Sequence, residues 1–183
     1  MERLDRRLTE AAAALARLDE LAGKSERTLV ERDSAVLRLI YSYEAVWKAC
    51  QKVLAALENV SAASPNAAIR AARALGWLSD EDAQAAIKLG EERSLAVHMY
   101  RDQVGQQIEG HLPAHAALLR RCSRPSKNAL ARNKAKSRLL QYALHRLLTE
   151  ERVGKPLPLT VLRLSQKLEI SVMLRETPPR PAA

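Results

Sequence analysis

The chain has 183 residues, which fits one domain of ordinary size or a small domain with an appendage. It has no Phe and only 3% aromatic residues, and Ala and Leu dominate its apolar 47%. That composition disfavours a β-sandwich or barrel and points to helices. Six glycines leave no glycine-rich phosphate loop. Two cysteines, Cys50 and Cys122, make neither a disulfide framework nor a zinc site of the usual kind, which suits a reducing, cytoplasmic setting. The longest run without a charge, Asn59 to Ile69, is 11 residues, too short to span a membrane. Met1 to Glu10 carries charges throughout, unlike a cleaved signal peptide.

Glu2 to Ala22 reads as a helix, with Leu4, Leu8, Leu15 and Leu18 on related turns and Gly23 placed as a stop. A stronger pattern follows. Val36, Ile40, Tyr43, Trp47, Cys50, Leu54 and Leu57 recur at steps of four and three, predicting one apolar stripe on a helix from about Val30 to Glu58. Ser64 and Pro65 open a short helix that Gly76 closes. Ser79 caps the next, with Asp80, Glu81 and Asp82 in the turn where the helix dipole favours acids. Asp102 is a candidate cap for a further helix through Val104, Ile108 and Leu118 to Arg121, with a kink at Pro113. The fold class this predicts is all-α, an antiparallel bundle of about five helices.

Charge divides the chain. Residues 1–121 hold 17 basic and 17 acidic side chains, whereas residues 122–183 hold 13 and 4, so the second part carries the whole net charge of +9. The sequence therefore predicts a neutral bundle over 1–121 and a basic extension over 122–183. Cys122-Ser-Arg-Pro-Ser126 reads as a turn-like break, and Asn128 to Arg152 as a basic helix stopped by Gly154 and Pro156. Pro158 to Met173 fits a short helix or a strand, and Thr177 to Ala183, with three prolines, reads as disordered.

Four histidines are present: His98, His111, His115 and His145. His111 and His115 share a helix face but lack a third ligand, so neither a metal nor another cofactor is expected. The informative cluster is Arg93-Ser-Leu-Ala-Val-His98-Met-Tyr100. Arg supplies a fixed cation whose planar fork fits phosphate oxygens, and His supplies a base that titrates near neutrality. Together they suit metal-free RNA cleavage: His98 deprotonates a ribose 2′-OH, and Arg93 stabilises charge on the phosphate. On a continuous helix, positions 93 and 98 lie about 140° apart. Either the helix ends near Arg93, or a second chain completes the site. The plainer reading is a surface arginine with a His and a Tyr packed at a helix junction.

The wider context resembles a known family. Arg32-Asp33, Arg38, Glu44 and Trp47-Lys48 follow the long-helix pattern of the nucleotidyltransferase substrate-binding branch of the HEPN superfamily. Pro65 to Trp77, with Ile69-Arg70 and Leu75-Gly76, is similar to that branch's next element. Arg93-x4-His98-x-Tyr100 is similar to the R-x4-H-x-Y signature of HepT-type toxins. The resemblance covers about residues 1–120. It implies a five-helix bundle that dimerises near its motifs, and a small nucleotidyltransferase as partner and antitoxin. It further implies a metal-independent ribonuclease acting on an RNA such as tRNA or mRNA, with Arg93 and His98 as catalytic residues. AMP transfer to Tyr100 would silence it. Where family motifs carry Asn or Asp after the arginine, this chain has Ser94, a supporting residue of the site. Two alternatives stand beside this reading: a non-catalytic nucleotidyltransferase-binding subunit, and a helical RNA-binding adaptor acting through the basic tail.

Overall fold

The protein is described from a computed structural model over residues 2–98, 108–147, 154, 156–163 and 166–173. Helix α1, Glu2–Ala22, buries Leu4, Leu8, Ala11, Leu15, Leu18 and Leu21, the stripe its leucines predict. Beyond Gly23 the chain reverses, and Arg27 Nε donates to the Leu21 carbonyl at 2.8 Å, satisfying one of the acceptors that α1 leaves open. Thr28 then starts α2, Leu29–Leu57, through a reciprocal capping box: its hydroxyl accepts from the Glu31 N–H, and the Glu31 carboxylate accepts from the Thr28 N–H. The pairing of α1 with α2 is antiparallel. Ser42 Oγ donates to the Ala14 carbonyl at 3.1 Å, while Arg38, nearer the start of α2, meets Glu20 at 2.8 Å.

The buried face of α2 is turned slightly from the predicted stripe. Tyr43, Cys50 and Leu54 are buried, but Val36, Ile40, Trp47 and Leu57 are half-buried. The centre of the face is Ala35, Leu39, Ser42, Val46, Ala49 and Val53. Small residues there let the neighbouring helices approach closely, which a pattern built on large side chains does not register.

Ser64 caps α3, Pro65–Ala74, accepting from the Ala67 N–H, and Gly76, at φ +69°, provides the left-handed turn after it. Arg73 grips Asp80 with both arms of its fork, at 2.6 and 2.8 Å, clipping the end of α3 to the start of α4, Asp80–His98. The predicted Ser79 cap is present, accepting from the Asp82 N–H at 3.1 Å. Asp102 lies outside the described residues.

A helical turn at Ile108–Gly110 precedes α5, Leu112–Leu147. Pro113 is the second residue of α5, where its missing N–H costs nothing, so it begins the helix rather than kinking it. Helix α5 packs antiparallel to α4: Glu92 faces His115, and Asp82 faces Arg121. Arg120 also reaches Asp19 of α1. The core joins all these helices, with Leu18, Leu39, Leu89, Leu112 and Leu119 almost fully enclosed. No described helix is long and apolar enough to cross a membrane.

The break predicted at Cys122–Ser126 is absent, because α5 runs through it with Pro125 inside. Cys122, Ser123, Ser126, Ala129 and Leu130 are buried, and that packing outweighs the lost backbone hydrogen bond. By contacts between residues, the chain forms two compact units, residues 1–133 and 134–183. In the second unit the segment left open between helix and strand is a hairpin. Strands β1, Pro156–Arg163, and β2, Gln166–Met173, pair antiparallel, with Leu159 opposite Ile170. The all-α class thus describes the bundle, and the extension adds this two-stranded sheet. Thr177 to Ala183 lie outside the described residues.

Candidate functional site

Arg93 sits on α4, and Gly90, one turn before it, explains how closely it meets α2. A mid-helix glycine costs about 1 kcal/mol relative to alanine. Here a Cβ at Gly90 would collide with the Tyr43 hydroxyl, so the glycine permits the approach of α4 to α2. Glu44, the residue after Tyr43, then receives the Arg93 guanidinium: Nη2 of Arg93 donates to Oε1 of Glu44. The other oxygen of the same carboxylate, Oε2, holds Lys48 Nζ at 2.8 Å, one helical turn on. Lys48 also lies 5.6 Å from the centroid of the Trp47 ring.

Two cations therefore share one anion. Burial pushes the Glu44 carboxyl up, but the Lys48 hydrogen bond and the Arg93 charge outweigh it and hold the group below its ordinary value. Glu44 is ionised at neutral pH, and the trio keeps one net positive charge. The Arg93 side chain is 26% exposed and Lys48 48%. Arg93 Nε is buried with no acceptor, so part of the fork is unsatisfied. The Tyr43 hydroxyl below it is also buried without a partner, and burial pushes it up to about 12, which removes it from proton transfer near neutrality.

The other predicted residues are placed as follows. Ser94 Oγ donates back to the Gly90 carbonyl at 3.0 Å, an internal helix bond. His98 is the last described residue of α4, and the helix is continuous from Arg93 to it. The first alternative, a helix ending near Arg93, is thereby removed, and positions 93 and 98 lie about 140° apart around one axis. Tyr100 lies outside the described residues. Among the described residues the structure brings Arg93 to Glu44 and Lys48, and sets His98 on another face of α4.

A cleft of about 270 Å³ opens between α4 and α5 and is lined by Lys88, Glu92, His111, His115 and Arg121. His115 Nε2 is 3.4 Å from Glu92 Oε2. Burial lowers the His115 pKa, with His111 and Lys88 acting in the same direction and Glu92 opposing. Arg121 is taken up by Asp82. No three metal-ligating side chains among the described residues are placed to hold an ion. Cys50 and Cys122 are free, and burial pushes both thiols up, Cys122 to about 12, so neither is a ready nucleophile.

The roles of Glu44 and Lys48 escaped the reading of residues alone. The signal for their pairing was present, since Glu followed by Lys four residues later is a stabilising helical pair. The signal for Arg93 was weaker: Gly90, in mid-helix with no turn to make, marks a close approach whose partner only the tertiary structure identifies.

No match was found among curated proteins. The fold is shared with several solved structures. A protein from Thermus thermophilus is 42% identical, with a TM-score of 0.59 over 61% of this chain and 94% of its own. A mutant MntA–HpeT toxin–antitoxin structure is 14% identical, with a TM-score of 0.58 over 70% and 99%. A tri-AMPylated HEPN toxin of Shewanella oneidensis, in complex with its MNT antitoxin, is 14% identical, with a TM-score of 0.55 over 68% and 96%. The family described as nucleotidyltransferase substrate binding protein like matches residues 6–127, which takes in the capped long helix, Gly90, Arg93 and His98. The chain belongs to that nucleotidyltransferase substrate binding protein like family.

Proposed function

We propose that this protein is a HepT-like toxin of a toxin–antitoxin pair, a metal-independent ribonuclease that a small nucleotidyltransferase silences by AMP transfer to Tyr100. The observation that carries the reading is Arg93, held at a fixed place on α4 by Glu44 rather than extended into solvent, within the sequence R-x4-H-x-Y. The family match and the shared fold with an AMPylated HEPN toxin in complex with its antitoxin support it.

In this mechanism the His98 imidazole takes the proton of a ribose 2′-OH, and the 2′ oxygen attacks the adjacent phosphorus. The bond to the 5′ oxygen breaks, leaving a 2′,3′-cyclic phosphate, and the departing oxygen takes up a proton. Arg93 stabilises the extra negative charge on the phosphoryl oxygens. Since positions 93 and 98 diverge on α4, a homodimer supplies the composite site, with Arg93 and His98 facing RNA from two chains. An adenylyl group on Tyr100 places a phosphate and bulk beside the motif and excludes the RNA backbone.

Incubation with the cognate nucleotidyltransferase, ATP and Mg²⁺ is expected to add the mass of one or more adenylyl groups and to abolish RNA cleavage. No adduct, or an adduct unchanged by Tyr100→Phe, overturns the modification. A non-catalytic, partner-binding subunit is the second reading. It is favoured by Ser94, whose hydroxyl is engaged by Gly90 rather than by the site. Growth arrest that persists in His98→Ala would support that subunit reading over the catalytic one.

A further inference from the structure

Arg93 is not the sole cation at its site. Glu44 bridges it to Lys48, so that one carboxylate fixes two positive groups along the line where α2 and α4 meet. A structural ion pair needs one cation for one anion. Here the second cation leaves the trio with a net positive charge, and the Lys48 side chain is half-exposed. Lys and Arg each carry more N–H donors than a single carboxylate oxygen can accept, and the Lys48 side chain is open enough for solvent or an anion to reach its spare donors. Such an arrangement offers fixed donors to an incoming anion without first breaking the ion pair that positions them.

Resting on the ribonuclease reading above, we propose that Lys48 is a second RNA phosphate-binding residue, positioned by Glu44 beside Arg93 to hold the phosphodiester next to the one that is cut. Lys48 thus acts on substrate binding, whereas Arg93 acts on the reacting phosphate. The Trp47 ring flanks the Lys48 ammonium, a further favourable contact for its charge.

The test uses the full chain with His98→Ala, so that RNA is bound but not cut, and a short labelled single-stranded RNA of mixed sequence. Binding is measured over a series of salt concentrations. Adding Lys48→Ala is expected to reduce the slope of log K against log salt by about 0.7, the value for one lost phosphate contact on a single strand. Lys48→Arg should restore the slope. Lys88→Ala, which removes an exposed lysine of α4, should leave it unchanged. Thermal melting of the variants checks that each is folded, which Lys48's exposure favours. If the His98→Ala protein binds RNA and Lys48→Ala matches Lys88→Ala, the inference is overturned while the ribonuclease reading stands. If the His98→Ala protein binds no RNA, both are overturned.

Discussion

Glu92 and Arg93 are neighbours on α4, yet they face two different helices and two different electrostatic settings. Toward α2, one carboxylate serves Arg93 and Lys48, leaving a net positive charge and an unsatisfied N–H. Toward α5, Arg121 has Asp82, Lys88 lies 3.9 Å from Glu92, and burial presses His115 toward its neutral form. One face of the helix has charge to offer an anion, and the other balances its charges internally. Residues 1–121 are neutral in sum, so this local surplus, rather than the overall +9, is what an RNA backbone would meet there.

The difference can be broken from either side. Arg93→Ala should reduce RNA cleavage about 10²–10³-fold, the usual loss when a group stabilising transition-state charge is removed, while Arg121→Ala should leave cleavage near wild type. Equal losses in the two variants, measured as initial rates on one RNA, would erase the distinction. Gly90→Ala should destabilise the fold by about 1–3 kcal/mol despite the better helix propensity of alanine, because the new Cβ displaces Tyr43. Unfolding in urea would show it, and a neutral or stabilising result would mean that α4 does not approach α2 so closely.

Smaller effects sharpen the picture. Tyr43→Phe removes a buried hydroxyl that has no partner, so stability should hold or rise by up to about 1 kcal/mol; a clear loss would reveal a hidden partner. On the α5 face, His115 has a folded pKa below its ordinary 6.5. The unfolded chain therefore binds the proton first as pH falls, and the stability that neutral His115 supports is intact above that value and lost below it. His115→Gln should flatten this acid-side decline in melting temperature. An unchanged slope would assign the decline to other groups.

Much of this was legible in the sequence where local rules decide. Gly23, Ser64-Pro65 and Ser79 mark helix ends because capping and backbone conformation are settled by residues within one turn. Pro125 misled because burial of Cys122, Ser126 and Leu130 is a tertiary fact that overrides a local breaker. The hairpin of 156–173 was half-legible: Thr160, Val161, Ile170 and Val172 are β-branched, but a segment of eight residues per strand is too short for periodicity to decide alone. The motif singles out Arg93, His98 and Tyr100 as candidates, whereas the sharing of Glu44 by two cations depends on how closely two helices approach.

The central claim is that Arg93 and His98 cut RNA without a metal. Its most direct test is cleavage of a labelled RNA by the purified protein in excess EDTA, with wild type beside His98→Ala. The account predicts fragments ending in a 2′,3′-cyclic phosphate from the wild type and intact RNA from the variant. Intact RNA in both, or equal cleavage by both, would contradict it.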